Sequence, residues 1–403
     1  MSARKLALLG GCALFLAACS LPSVGLWNPA GVADTGLYGL YGSKMAHGLI
    51  PYRDYFMEFP PGALPALVLP ALPGSHYVVW FKAFEFLCGV GTLACLVSIV
   101  GRLGATRAQL STIVAIAAVS PALLGKIAIN SFDYWPTLLT TASLAALVAG
   151  RGRTGFALLG VATGAKLFPA GLLAVALLLV VRRHGRERWR ESVVSYVAAL
   201  VVVFGPFAAL GPGGLKFSLQ TQLERGLQLE SLGASLLVTV HHLGAYGISY
   251  TPNLAYAQLA GPLASSVATI STVVMVAAIL AAAWLYRRSN GDDTWFILAA
   301  ATTIVGIITF AKALSPQYLI WTIPLVAATW LWTKLAPLLL LLALGLTQIW
   351  VPNRYVQLQD LRWITWVLLV RDLVLLVLFA VLLRELRARA AGRGGAAQRA
   401  APG

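Results

Sequence analysis

Long apolar runs separated by short polar or basic stretches recur from one end of the chain to the other. A helix needs about 20 apolar residues to cross the hydrocarbon core of a bilayer. Read at that scale, with shorter runs admitted where basic residues flank them, the pattern predicts about ten crossings. These are Leu6 to about Leu26, Tyr77–Val100, Leu110–Leu124, Phe132–Val148, Ser192–Leu210, Pro262–Tyr286, Thr294–Phe310, Tyr318–Trp332, Leu335–Trp350 and Trp363–Leu383. None of the runs alternates polar and apolar positions, as a transmembrane β-barrel would require. Each must therefore satisfy its backbone hydrogen bonds internally, which makes it a helix. The expected fold is an all-α, polytopic transmembrane helical bundle. Residues 1–383 form its single transmembrane domain, and 384–403 are a basic, Ala/Gly-rich tail expected to be disordered.

Two segments break the pattern. Pro61–Leu72 is apolar but too short to cross, and reads as partly inserted. Thr154–Val181 carries basic residues beyond both ends and is interrupted by Gly160, Gly164, Lys166 and Pro169. One straight pass would put those flanking charges on opposite faces. The segment is therefore expected to be a hairpin of two half-length helices with Lys166 near its tip, where irregular backbone must be covered by protein or line a cavity.

Charge then orients the bundle. Lys and Arg number 30 against 14 Asp and Glu, a net charge of +16. Most of the basic residues lie in short clusters between apolar runs, above all Arg182, Arg183, Arg186, Arg188 and Arg190. That placement marks cytoplasmic loops and argues against a nucleic-acid partner. It puts both termini in the cytoplasm and leaves residues 28–62, 211–261 and 351–361 as outer loops. Hydrophobic residues make up 59% of the chain and charged residues 11%, which excludes both a soluble enzyme and a disordered chain. Cys12, Cys19, Cys88 and Cys95 all sit in apolar runs and read as buried small hydrophobes, without the spacing of a disulfide framework or zinc site. Leu16-Ala17-Ala18-Cys19 has the form of a lipoprotein cleavage motif. The apolar run continues past Cys19, which favours a first transmembrane helix.

The chemistry-bearing residues fall on the outer side. The first outer loop holds Asp34, Asp54 and Glu58 with Tyr38, Tyr41, Tyr52, Tyr55, Arg53 and His47. Carboxylates accept hydrogen bonds from sugar hydroxyls and aromatic faces stack on sugar rings, so the loop suits a sugar site. An interfacial aromatic belt with solvated acids would have the same composition.

The spacing within these segments resembles a known family. Asp34-Thr-Gly-Leu-Tyr38, Gly48-Leu-Ile-Pro51-Tyr52-Arg-Asp54-Tyr and Glu58-Phe-Pro60-Pro61-Gly62 resemble the first outer loop of glycosyltransferase family 87, of the GT-C superfamily. Gly164-Ala-Lys166-Leu-Phe-Pro169 and Ser315-Pro316-Gln317-Tyr318-Leu-Ile-Trp321, the latter preceded by Lys312, resemble two further segments in family order. The resemblance implies a GT-C type bundle in the plasma membrane with its active site on the extracytoplasmic face. It implies inverting transfer of a sugar, mannose or arabinose, from a polyprenyl-phosphate donor to a cell-envelope glycolipid or glycan. It also implies an acidic catalytic base in the first outer loop, which maps to Asp34.

Those residue types fit the chemistry. The attacking hydroxyl must lose a proton, which needs one carboxylate base. The lipid phosphate leaves without a general acid but needs cations to neutralise its developing charge. Arg225 and Lys312 are the expected phosphate ligands, with Arg354 as a further outer cation and Lys166 as another if the hairpin tip reaches far enough. Glu58, Tyr38, Tyr52, Asp54, Asp133, Gln317 and Tyr318 are expected to orient substrate. Leu215, Leu219, Leu223 and Leu227 recur every four residues, predicting an amphipathic surface helix that carries Arg225. His241-His242 could contact the donor phosphate. Asp292-Asp293 resembles a metal pair but falls in a cytoplasmic loop, so no metal or other cofactor is expected. Arg371-Asp372 lies inside a span and must be paired or face the interior; Lys82 and Glu85, three apart on one helix, can pair similarly. The main alternative is a transporter or flippase for a lipid or polyol, which would show paired broken helices in two halves. A non-catalytic lipoprotein or scaffold is the third class.

Overall fold

The computed structural model describes residues 2–21, 34–185, 188–251, 257–289 and 291–390. Among them, seven helices are long and apolar enough to cross a membrane: Ala3–Ser20, Tyr77–Arg102, Arg107–Ile129, Arg188–Leu210, Pro262–Arg288, Asp293–Phe310 and Ile364–Ala390. Shorter apolar segments are the helices Tyr134–Val148, Leu232–His242 and Leu335–Trp350, the run Pro61–Ala71, and a composite stretch from Pro316 to Leu331. That stretch is two 3₁₀ turns flanking the helix Ile323–Ala328. Pro316 and Pro324 each lack the N–H that a continuous helix needs. Beyond Ser20 the predicted first span runs into residues 22–33, which lie outside the described residues, as do Arg186 and the tail from 391.

The Asp293–Phe310 helix is the axis of the bundle; from Trp295 to Thr309 every residue is buried. It is packed by Pro262–Arg288 and Ile364–Ala390. Large apolar side chains on the outside of the bundle, such as Val201, Val202, Ile270, Val273 and Leu280, remain exposed. A protein solvated by lipid shows this arrangement.

The interrupted segment is a hairpin. The helix Gly152–Ala165 ends where Lys166 becomes extended (φ −152°, ψ 149°), and after the 3₁₀ turn Phe168–Leu172 a second helix runs from Leu173 to His184. Pro169 forbids a continuous helix through this point. The two ends return to the same place: Arg183 Nη1 donates to the Leu147 carbonyl at 2.7 Å, one turn before the first helix of the hairpin. Other groups assigned to one side by the Lys/Arg pattern also meet at this end of the bundle. Arg153 pairs with Glu191 at 3.0 Å, Arg183 pairs with Asp293, and Arg389 lies over Trp295 and Trp332.

The opposite end differs from its expected form in two places. The segment expected to be the first outer loop contains a 12-residue helix, Thr35–Ala46, with Asp34 at its N-cap position. The predicted amphipathic helix spans Pro212–Leu223 and stops two residues short of Arg225. Past Gly226 the chain turns into a short strand, Leu227–Gln228, antiparallel to Gln258–Ala260 with Leu227 opposite Leu259. A Cβ at Gly226 would lie 2.7 Å from Gln258 Oε1, which accepts from the Gly226 N–H at 3.1 Å, so a larger residue would displace that side chain. Gln258–Ala260 also pairs with Ser249–Thr251, giving a three-stranded sheet in an otherwise helical protein.

Candidate active site

A cavity of about 600 Å³ lies at the hairpin tip, the end of the bundle away from the hairpin base. Asp34, Tyr38, Glu58, Lys166, Arg225 and Tyr318 give it a polar half. Leu37, Met275, Ile279, Ile307 and Ile308 give it an apolar half.

The hairpin break delivers Lys166. Its Nζ sits 2.5 Å from Asp133 Oδ1 and lies over the rings of Phe132 (4.5 Å), Tyr318 (4.7 Å) and Trp321 (5.1 Å). The lysine side chain keeps 14% of its surface open, whereas that of Asp133 keeps 1%. Asp133 also accepts a 2.7 Å hydrogen bond from Trp321 Nε1. Trp321 is sandwiched between Phe168 (centroids 4.0 Å apart, 8°) and Tyr318 (4.3 Å, 19°). One buried carboxylate thus fixes both the ammonium and the aromatic stack. A close backbone approach holds the hairpin tip against the segment around Gly62. A Cβ on Gly62 would fall 2.4 Å from the Gly164 carbonyl carbon, and Trp135 Nε1 donates to the Gly62 carbonyl at 2.9 Å.

Arg225 meets the cavity from the turn after the Pro212–Leu223 helix. Its Nη2 donates to Glu58 Oε1 at 2.8 Å and its Nη1 donates to the Tyr318 hydroxyl at 3.3 Å. Ser218 and Gln222 side chains both donate to the Glu58 carbonyl, at 3.1 and 2.9 Å, joining the segment around Glu58 to the Pro212–Leu223 helix. Burial pushes the Glu58 carboxyl above its usual range, and the Arg225 charge opposes part of that rise.

Asp34 stands at the mouth. Its Oδ2 accepts a 3.2 Å hydrogen bond from the Tyr38 hydroxyl. Although the residue is exposed, the surrounding protein removes enough water to raise its carboxyl above the usual range. The Tyr38 hydrogen bond and Lys166 pull it down; the Asp133 charge pushes it up.

The structure therefore gathers Asp34, Tyr38, Glu58, Arg225, Gln317 and Tyr318 around one cavity, with Asp133 directly behind it. Three other predicted site residues lie elsewhere. Tyr52 is buried and donates to the Phe59 carbonyl at 2.5 Å, bracing the loop. Asp54 bonds Arg53 and the Ile50 N–H on the surface, and these partners hold its carboxyl below the usual range. Lys312 does not line the cavity; its Nζ donates to the Leu223 carbonyl at 3.0 Å, at the C-terminus of the Pro212–Leu223 helix, where cations are favoured. Lys166 takes the place by the cavity that Lys312 was expected to hold. The signal for it was a lone ammonium in an apolar hairpin. Gln222 and Gln228 also line the cavity, and no spacing pattern singled them out.

The remaining polar signals have structural partners. Glu85 accepts from the Tyr134 N–H at 2.9 Å rather than pairing with Lys82. His241 contacts the Tyr246 carbonyl and His242 the Thr365 hydroxyl, both away from the cavity. Asp292 caps the Asp293–Phe310 helix. No cluster of three or more His, Cys, Asp or Glu placed to hold a metal occurs among the described residues.

Fold and site together define a polytopic helical membrane protein with a half-charged, half-apolar cavity at one end of its bundle. The sequence model of glycosyltransferase family 87 matches residues 56–316, well over half of the chain, and the chain belongs to that family. It is a membrane glycosyltransferase. No curated protein matches it.

Proposed function

We propose that this glycosyltransferase takes its sugar, a hexose or pentose such as mannose or arabinose, from a polyprenyl-phosphate donor. The acceptor is a hydroxyl of a cell-envelope glycolipid or glycan on the extracytoplasmic face of the plasma membrane. The reading rests on one observation: a single cavity joins two carboxylates and two cations to an apolar wall. A lipid-linked phosphate needs both halves. Met275, Ile279, Ile307 and Ile308 suit the first units of the polyprenyl tail, and Lys166 and Arg225 suit its phosphate.

In the transfer, the acceptor oxygen forms a bond to the anomeric carbon as the bond from that carbon to the phosphate oxygen breaks. The electron pair leaves with the phosphate, and the hydroxyl proton passes to Asp34. Attack opposite the leaving group inverts the anomeric centre. Lys166 and Arg225 neutralise the departing phosphate, each already held by its own carboxylate, so little reorganisation is needed. Glu58 positions Arg225, and the ring of Tyr318, backed by Trp321, offers an aromatic surface for the sugar. The raised carboxyl of Asp34 suits a general base, whose efficiency is greatest when its pKa approaches the operating pH.

The test is turnover by the purified protein in lipid with a panel of polyprenyl-phosphate and nucleotide-linked sugars. The expected product is free polyprenyl phosphate, with the sugar recovered on the acceptor in inverted configuration. Turnover of nucleotide sugars alone would refute the reading.

A further inference from the structure

A second cavity lies at the base of the hairpin, at the other end of the bundle. It measures about 480 Å³ and is lined by Gly150–Thr154, Val180, His184, Arg188, Glu191 and Ser192. Both ends of the hairpin and the start of the Arg188–Leu210 helix enclose it. Buried Val180 and Ser192 form its floor. Its rim carries three guanidiniums, Arg151, Arg153 and Arg188, against one carboxylate, Glu191. Glu191 is occupied by Arg153, through Nε at 3.1 Å and Nη2 at 3.0 Å. Arg151 and Arg188 are exposed and form no ion pair within 4 Å among the described residues, although the Arg188 charge, three residues away on the same helix, also acts on Glu191. The Gly152–Ala165 helix begins at the rim, so the positive end of its dipole adds to the same potential.

From this geometry we infer that the groove is a binding site for a phosphate group, with Arg151 and Arg188 as its ligands. A guanidinium donates two parallel hydrogen bonds to phosphate oxygens, and two exposed ones that form no ion pair among the described residues, set around a concave floor, suit a phosphomonoester or phosphodiester. The site is separate from the catalytic cavity, which lies at the hairpin's other end. Its position at the end of the membrane-crossing helices, on the side that the Lys/Arg pattern assigns to the cytoplasm, makes an anionic lipid headgroup one source. Soluble phosphate is the other, and both present the same chemistry. Basic pockets between transmembrane helices on that side commonly hold lipid phosphates.

Native mass spectrometry of the full-length protein tests this, using short-chain phosphatidylglycerol, phosphatidylcholine and inorganic phosphate as probes. Phosphatidylglycerol is expected to bind with defined stoichiometry, and Arg151→Gln with Arg188→Gln to weaken it by about tenfold or more, as expected for lost charge-assisted bonds. The pair Arg102→Gln with Arg107→Gln, which removes equal charge from another basic loop, should leave binding unchanged. Competition by inorganic phosphate at equal concentration would assign the site to soluble phosphate; resistance would assign it to the headgroup. Equal loss in both double variants would reduce the effect to general surface charge, and equal binding of phosphatidylcholine, which carries no net charge, would reduce it to non-specific lipid attachment; either result overturns the inference. Donor turnover need not change for the site to exist, so this result and that for the proposed reaction fail independently.

Discussion

Two buried ion pairs in this protein differ in their surroundings. Lys166 and Asp133 meet at 2.5 Å beside the cavity, where the lysine keeps part of its surface open. Arg371 and Asp372 meet at 2.9 Å inside the Ile364–Ala390 helix, at 0% and 1% exposure. Arg371 also donates to the Glu230 carbonyl at 2.8 Å and lies 5.5 Å from the Trp350 ring, so its bonds face protein throughout. A charge with one open side can receive a ligand, whereas a sealed one can only hold its neighbours together. Change in the first region should therefore be read in turnover and change in the second in stability.

The largest expected effect is at Asp34, beside the open pair. Asp34→Asn keeps the side chain's shape and removes its basicity. Turnover should fall about 10²–10⁴-fold while the melting temperature in detergent stays within a degree or two of wild type. Because its carboxyl is raised, the wild-type rate should decline with falling pH above the range of a free aspartate, near ~3.9. Protonation removes the base, so activity is present above this pKa and lost below it. Glu58→Gln should retain that acid limb, which Asp34→Asn abolishes. If the limb instead disappears with Glu58→Gln, the base is Glu58.

Next comes the sealed pair. Arg371→Met strands the Asp372 charge, and breaking a buried pair costs about 3–5 kcal/mol, to be measured by chemical unfolding in detergent. Replacing both residues, Arg371→Met with Asp372→Leu, should recover much of that loss, since apolar pairs often substitute for sealed ions. The matching double change at the open pair, Lys166→Met with Asp133→Leu, should give a folded protein without donor turnover. A stable, active Lys166/Asp133 double variant would erase the distinction between the two regions.

The smallest effects separate the lysines. Lys166→Gln or Arg225→Gln should weaken donor binding by about 10- to 150-fold, the equivalent of one charge-assisted bond of 1.5–3 kcal/mol. Lys312→Gln, whose ammonium only caps the Pro212–Leu223 helix, should change donor affinity less than threefold and lower stability by about 0.3–1 kcal/mol. Donor affinities from equilibrium binding decide the order, and a larger loss at Lys312 than at Lys166 would reverse the assignment.

What the sequence determined by itself was the all-helical membrane class, most of the long apolar helices, the hairpin break and several of the candidates. Apolar length marked the spans because a bilayer accepts little else. Gly164, Lys166 and Pro169 marked the hairpin break because proline and a lone ammonium both oppose a continuous apolar helix. The recurring segments around Asp34, Glu58 and Gln317–Tyr318 pointed to residues that do line one cavity. Tertiary structure alone decided which charges meet. Lys166 and Asp133 are 33 residues apart, Arg225 and Glu58 167, and Trp321 and Asp133 188. Spacing along a chain reports the face of a helix a residue occupies, but not which distant segment packs on that face. Lys312 and Lys166 each lie in a segment that resembles the family, yet one ammonium ends on a helix carbonyl and the other beside the cavity. The helix expected to carry Arg225 stopped at Leu223 because a strand pairing far along the chain competed for the residues that follow. Such pairing depends on partners brought close only by folding, which no local periodicity records.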